Sequence, residues 1–114
     1  MMQRENEELL NDILQAIDTI YDVQKLLNKY PSDELIPMVA YNATLYSLIT
    51  IGEAINQLDR GFKSRHTQIN WRIMVELRNR LAHQYYEING GYIDLLVEEY
   101  LFNFGEQVKK ILAI

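Results

Sequence analysis

The stretch Arg78-Asn79-Arg80-Leu81-Ala82-His83-Gln84-Tyr85-Tyr86 brings three reactive groups within about two helical turns of one another. They are a permanently cationic guanidinium, an imidazole that exchanges protons near neutral pH, and a phenol. Cleavage of a phosphodiester can use all three. His83 is suited to move a proton as general acid or base, typically worth about 10²–10⁴-fold in rate, and Arg78 to stabilise charge developing on the non-bridging phosphate oxygens. The same residue types also serve plain structural ends. An arginine and a histidine near a helix end make ion pairs and favourable dipole contacts, and Arg72, Glu76 and Arg80 form an i,i+4 charge ladder.

Helix geometry constrains how these groups can meet. At about 100° per residue, Arg78 and His83 stand about 140° apart around an ideal helix and do not share a face. Tyr85 falls about 20° from Arg78, and His83 about 40° from Asn79. A single site therefore needs either a distorted helix end or two copies meeting so that the gap between them collects Arg78 and His83 from both. The second arrangement is the one expected.

The elements that must position this stretch read as helices throughout. Leu9, Leu10, Ile13, Leu14, Ile17, Ile20, Tyr21 and Leu27 recur at three- and four-residue spacing over about residues 4–29, and Pro31 stops that helix because the residue before proline avoids helical geometry. A second helix is predicted over about 33–58, with Ser32 as its cap, Pro37 tolerated in its first turn, and apolar positions including Val39, Leu45, Leu48, Ile49, Ile55 and Leu58. Gly52 lies on that apolar side, where the missing Cβ lets another helix come close. Residues 59–69 lack periodicity and read as a basic connection containing an exposed His66. Asn70 can cap a third helix carrying Trp71, Met74, Val75, Leu77, Leu81 and Ala82, and Asn89-Gly90-Gly91 ends it. A last helix over about 92–112 is expected to bury Ile93, Leu96, Val97, Tyr100, Leu101, Phe104, Val108 and Ile111. Tyr21, Tyr41, Tyr46, Tyr92 and Tyr100 are expected at core edges with their hydroxyls wet. No strand pattern and no repeat appears, so the expected fold is all-α: one domain spanning 1–114, folded as an antiparallel bundle of four or five helices.

Composition narrows the setting. The 114 residues contain no cysteine, which leaves no disulfide framework or thiolate chemistry and suits a reducing cytosol. The N-terminal residues are acidic and polar, and no run approaches the roughly 18 apolar residues of a membrane span, so a cytoplasmic protein without membrane contact is expected. Two histidines and no acidic cluster at metal-ligand spacing favour chemistry without a bound metal or other cofactor. The net charge of −5 is divided unevenly: residues 60–83 hold six basic residues against the single acid Glu76, +5, and the remainder holds five basic and fifteen acidic ones, −10. A local basic patch on an acidic body suits a phosphate backbone, with Lys63, Arg65, Arg72 and Arg80 as candidate contacts, and on charge alone a solvated basic loop without a ligand fits equally well.

Arg78, Asn79, His83 and Tyr85 resemble, position by position, the RNxxxHxY form of the RxxxxH signature in HEPN domains of the HepT-like family. The resemblance extends to Ile51-Gly52-Glu53-Ala54, similar to the iGEA segment of the family's second helix, and to Asn70-Trp71 in place of its Pro-Trp. Asn89-Gly90-Gly91 departs from the family's short link, and about residues 9–112 can be aligned in helix order. The resemblance implies a HEPN bundle that dimerises through its motif helices and cuts RNA without a metal, as the toxin of a type VII toxin–antitoxin system, with Arg78 and His83 catalytic and Asn79 and Glu53 in support. It also implies a minimal, MntA-like nucleotidyltransferase antitoxin that transfers AMP from ATP onto Tyr85. Two rival readings are a non-catalytic HEPN substrate-binding or scaffold partner of a nucleotidyltransferase, and a structural dimer knit together by the motif residues.

Overall fold

The computed structural model describes residues 4–84 and 96–113, and every regular element among them is helical. Helix α1 spans Arg4–Lys29 and α2 spans Ile36–Gln57. A short α3 follows over Arg60–Arg65, then α4 over Trp71–Gln84. A π-helical turn, Val97–Leu101, leads into α5, Phe102–Leu112. The bundle expected from periodicity is present, with α2 packed between α1 and α4 and with α1 also meeting α5.

The ends of these helices show what local chemistry decides. The start of α2 falls later than expected because Asp33, not Ser32, takes up its first donors: Asp33 Oδ1 accepts from the amides of Leu35 at 2.7 Å and Ile36 at 2.9 Å. At the other end, Leu58 turns extended while its amide still donates to the carbonyls of Ala54 and Ile55. The Asp59 amide then donates to Asn6 Oδ1 at 3.2 Å, tying the end of α2 to the start of α1, which makes the two antiparallel. Residues 59–69 are not a plain connection. Asp59 caps α3 by accepting from the Phe62 amide at 3.1 Å, and six residues are too few for periodicity to reveal.

Aromatic rings link α3, α4 and α5. Phe62 lies 4.6 Å from the His66 ring and 6.4 Å from Trp71, and Trp71 meets Phe104 edge-on at 6.1 Å. His66 is therefore half-buried against Phe62 rather than exposed. The tyrosines divide. Tyr46 is 73% exposed and Tyr41 38%, away from the expected core edge, as is Val39 at 54%. The hydroxyl of Tyr21 is buried with no partner among the described residues rather than wet, while that of Tyr100 donates to the Asn70 carbonyl. Tyr92 and Ile93 lie outside the described residues.

The core gathers Leu10, Ile13, Ile20, Leu48, Ile51, Ile55, Met74, Leu77, Leu101, Phe104 and Val108, each fully or almost fully buried. Its tightest joint is the crossing of α2 and α4. A methyl group placed on Gly52 would collide with Arg78 Cβ, and it would sit 2.8 Å from Arg78 Cγ and 2.9 Å from the Met74 carbonyl oxygen. Two of those atoms belong to the backbone or the stem of α4 and cannot swing aside, so the helices must separate. Gly52→Ala should gain about 1 kcal/mol of helix propensity yet lose more to overpacking, typically about 1–3 kcal/mol, leaving a clear net destabilisation. A denaturant midpoint equal to or above that of the unsubstituted chain would contradict the close crossing.

Candidate active site

The crossing at Gly52 sets Arg78 directly beneath α2, and the neighbouring residue Glu53 meets it. Arg78 Nη2 lies 3.4 Å from Glu53 Oε1, while Arg78 Nη1 donates to Asn79 Oδ1 at 2.9 Å. Arg78 Nε is buried and has no partner among the described residues. The guanidinium is thus fixed at one edge by a carboxylate 25 positions away and at another by its own neighbour, yet its side chain stays 28% exposed. That is a cation held in place and still reachable by a phosphate. The pair with Glu53 is half in solvent, so its contribution to stability is at most about 1 kcal/mol and its effect is on orientation.

The remaining residues of the motif helix are placed unequally. α4 is α-helical through Gln84, so residues 78 and 83 do stand about 140° apart around its axis, and a distorted helix end does not bring them together. His83 occupies the last turn of α4, and its side chain lies outside the described residues. Tyr85 lies outside them altogether. Among the described residues, no three His, Cys, Asp or Glu side chains are grouped as a metal site.

Of the expected RNA contacts, Lys63 and Arg72 line one groove between the end of α2, α3 and the start of α4, where they are joined by Arg60. Lys63 Nζ also donates to the Ile55 carbonyl at 3.1 Å, placing its charge against the C-terminal end of α2. Arg72 pairs with Glu76 at 3.2 Å, as the ladder predicts, and both are largely exposed. Arg65 and Arg80 are exposed but do not line the groove.

Sequence reading missed the parts that hold the groove's wall from behind. Three side chains donate to carbonyls of residues 66–70: Trp71 Nε1 to His66 at 3.1 Å, Tyr100 Oη to Asn70 at 2.6 Å, and Gln107 Nε2 to Gln68 at 3.0 Å. Asn70 so serves through its carbonyl, bound by a residue 30 positions on. No local signal marks such pairings.

Burial pushes the Tyr100 phenol up to about 12. An unfolded tyrosine ionises near 10, so between about pH 10 and 12 the folded chain keeps a proton that the unfolded chain has lost, and stability falls as pH rises through that interval. Below pH 10 both states are protonated and this group adds no pH dependence. Tyr100→Phe should therefore lose about 0.5–1.5 kcal/mol at neutral pH, the usual worth of one hydrogen bond, and should show a shallower alkaline decline than the unsubstituted chain. Urea titrations of both chains from pH 7 to 11.5 measure this, and parallel alkaline limbs would refute it.

The family described as Ribonuclease HepT-like matches residues 10–111. A protein of Thermococcus cleftensis named "Probable ribonuclease HepT" is 31% identical over 88 residues, 77% of this chain and 78% of its own length. One of Methanocaldococcus jannaschii, named "Putative RNase", is 32% identical over 90 residues, 78% of this chain and 72% of its own. No solved structure gives a significant match. With a family match across nearly the whole bundle and relatives aligned over most of their length, the chain belongs to the Ribonuclease HepT-like family.

Proposed function

We propose that this chain is a metal-independent RNA endonuclease, the cytoplasmic toxin of a type VII toxin–antitoxin pair, acting as a homodimer through Arg78 and His83. The observation that carries the reading is the convergence of Glu53 and Asn79 on an accessible Arg78, since three residues of the family pattern meet in space although two helices supply them. In the reaction, the ribose 2′-OH attacks the adjacent phosphorus, the O2′–P bond forms and the P–O5′ bond breaks. His83 moves the proton, taking it from the attacking hydroxyl or giving it to the departing oxygen, and Arg78 stabilises the charge that builds on the non-bridging oxygens. The requirement for a 2′-OH restricts the substrate to RNA.

The dimer follows from the 140° between residues 78 and 83, which one copy of α4 cannot close. A second copy is supported by the exposed apolar residues along α2 and its approach, where Leu35, Met38 and Tyr46 are 66%, 57% and 73% exposed. Isolated exposed apolar residues are ordinary, but this strip leads along α2 toward Glu53 and thus toward Arg78.

His83→Ala and Arg78→Ala should each lower RNA cleavage on the order of 10²-fold or more while leaving the helical circular-dichroism signal unchanged. Full cleavage in either folded variant, or cleavage abolished by EDTA, would sink the mechanism and favour a non-catalytic scaffold working with a nucleotidyltransferase.

Neutralisation is assigned to Tyr85, with a minimal nucleotidyltransferase as partner and ATP as AMP donor. Attack by the Tyr85 oxygen on the α-phosphorus of ATP releases pyrophosphate and leaves an AMP ester, adding negative charge and bulk seven residues along the chain from Arg78. RNA is then excluded without unfolding. Tyr85→Phe should retain most cleavage activity and resist neutralisation. Intact mass and cleavage measured after incubation with the partner and ATP test both halves, and an equal AMP mass gain on Tyr85→Phe would refute the assignment.

A further inference from the structure

Among the described residues, the groove at the start of α4 gathers three cations with no carboxylate in its lining. It is a shallow groove, largely open to solvent, of about 680 Å³. Ile55, Ile69, Trp71 and Val75 form its apolar floor. Arg60, Lys63 and Arg72 supply charge, and Asn56, Gln68 and Asn70 present exposed side-chain amides. Cations suit backbone phosphates, amides can both donate to and accept from base edges, and an apolar floor suits the face of an unstacked base.

Two further observations point to a ligand rather than a solvated surface. The loop 66–70 is held from behind by the three carbonyl-directed hydrogen bonds from Trp71, Tyr100 and Gln107, so Gln68 and Asn70 stand on backbone that is ordered before anything binds. The groove also ends one helical turn short of the candidate active site on both helices. Val75 precedes Asn79 by one turn of α4, and Asn56 follows Gly52 by one turn of α2, a step of roughly 6 Å along each axis. A strand lying in the groove therefore reaches Arg78 without leaving the seam between the two helices.

We infer that this groove is a nucleotide subsite that holds the single-stranded RNA segment flanking the scissile phosphate, with Arg60 and Arg72 gripping the backbone and Asn56, Gln68 and Asn70 setting base preference. This rests on the nuclease reading, deepening it from a cleaving pair to a site that selects where the cut falls.

Fluorescently labelled single-stranded RNA oligonucleotides of about ten residues, titrated onto the uncleaving His83→Ala chain and followed by anisotropy across a salt series, test the charge. Adding Arg60→Ala and Arg72→Ala should weaken binding tenfold or more at low salt and reduce the salt slope by about 1.4, the share of two phosphate contacts on a single strand. Adding Lys29→Ala and Lys110→Ala instead, on α1 and α5, removes the same two charges away from the groove and should leave the slope within error. In the cleaving chain, Asn56→Ala, and Gln68→Ala should the first fail to fold, should redistribute cleavage positions on a long RNA and raise KM while kcat holds. Unchanged affinity, salt slope and cleavage pattern in folded variants would overturn the subsite. So would a fall to a smaller sedimenting species with RNA affinity intact, which would make the groove a protein contact. A wild-type chain that cuts no RNA would defeat the nuclease reading alone, because the anisotropy titration still reports whether the groove binds the strand.

Discussion

Helices α2 and α4 lie so close that no side-chain carbon fits at position 52, and much of the molecule follows from that contact. The absence of a Cβ lets the stem of Arg78 pass directly under α2, and this in turn puts Glu53 within reach of its guanidinium. A residue of ordinary size at position 52 would push α4 outward, loosening the core around Met74 and Leu77 and parting the arginine from its carboxylate. One missing methyl group thus serves packing and site geometry together. Gly52 costs helix propensity and returns a fixed approach distance.

Charge in this chain is organised by the same framework. The acidic excess lies outside residues 60–83, while the cations of α3 and early α4 border a groove free of carboxylates in its lining. Asp59 is occupied in capping α3, and Glu76 in pairing with Arg72, so the acids nearest the groove are engaged locally. An acidic body with a basic seam limits indiscriminate attachment to nucleic acid and favours approach from one side. The aromatic series from Phe62 through Trp71 to Phe104 keeps α3 and the following loop registered against α5, which gives the seam a rigid back wall.

The Glu53–Arg78 pair illustrates how little of this arrangement concerns stability. At 3.4 Å, with half of the glutamate side chain in solvent, it adds little to the folded state. Its effect is to restrict the rotamers of a long side chain so that the cation faces outward in one orientation. In the proposed reaction such restriction lowers the reorganisation needed when a phosphate arrives.

Much of the fold was legible in the sequence because an amphipathic helix repeats its apolar residues every three or four positions whatever its partners are. The limits of α1, core positions such as Leu48, Ile55, Met74 and Leu77, the role of Gly52 and the local concentration of positive charge are properties of this kind, written along the chain. The chemical types of Arg78, Asn79, His83 and Tyr85 and their phases around a helix were likewise readable, since they depend on backbone geometry alone. What the sequence could not disclose depends on which residues meet across long separations. That Glu53 reaches Arg78, that Tyr100 and Gln107 brace residues 66–70, and that Arg60 joins Lys63 and Arg72 while Arg65 does not are outcomes of how the described helices pack. The short helix α3 and the exposure of Tyr46 and Val39 belong with them. A six-residue helix is held by its cap and by burial of Phe62, and an apolar residue on a helix becomes core or surface only when neighbouring helices choose which side to cover.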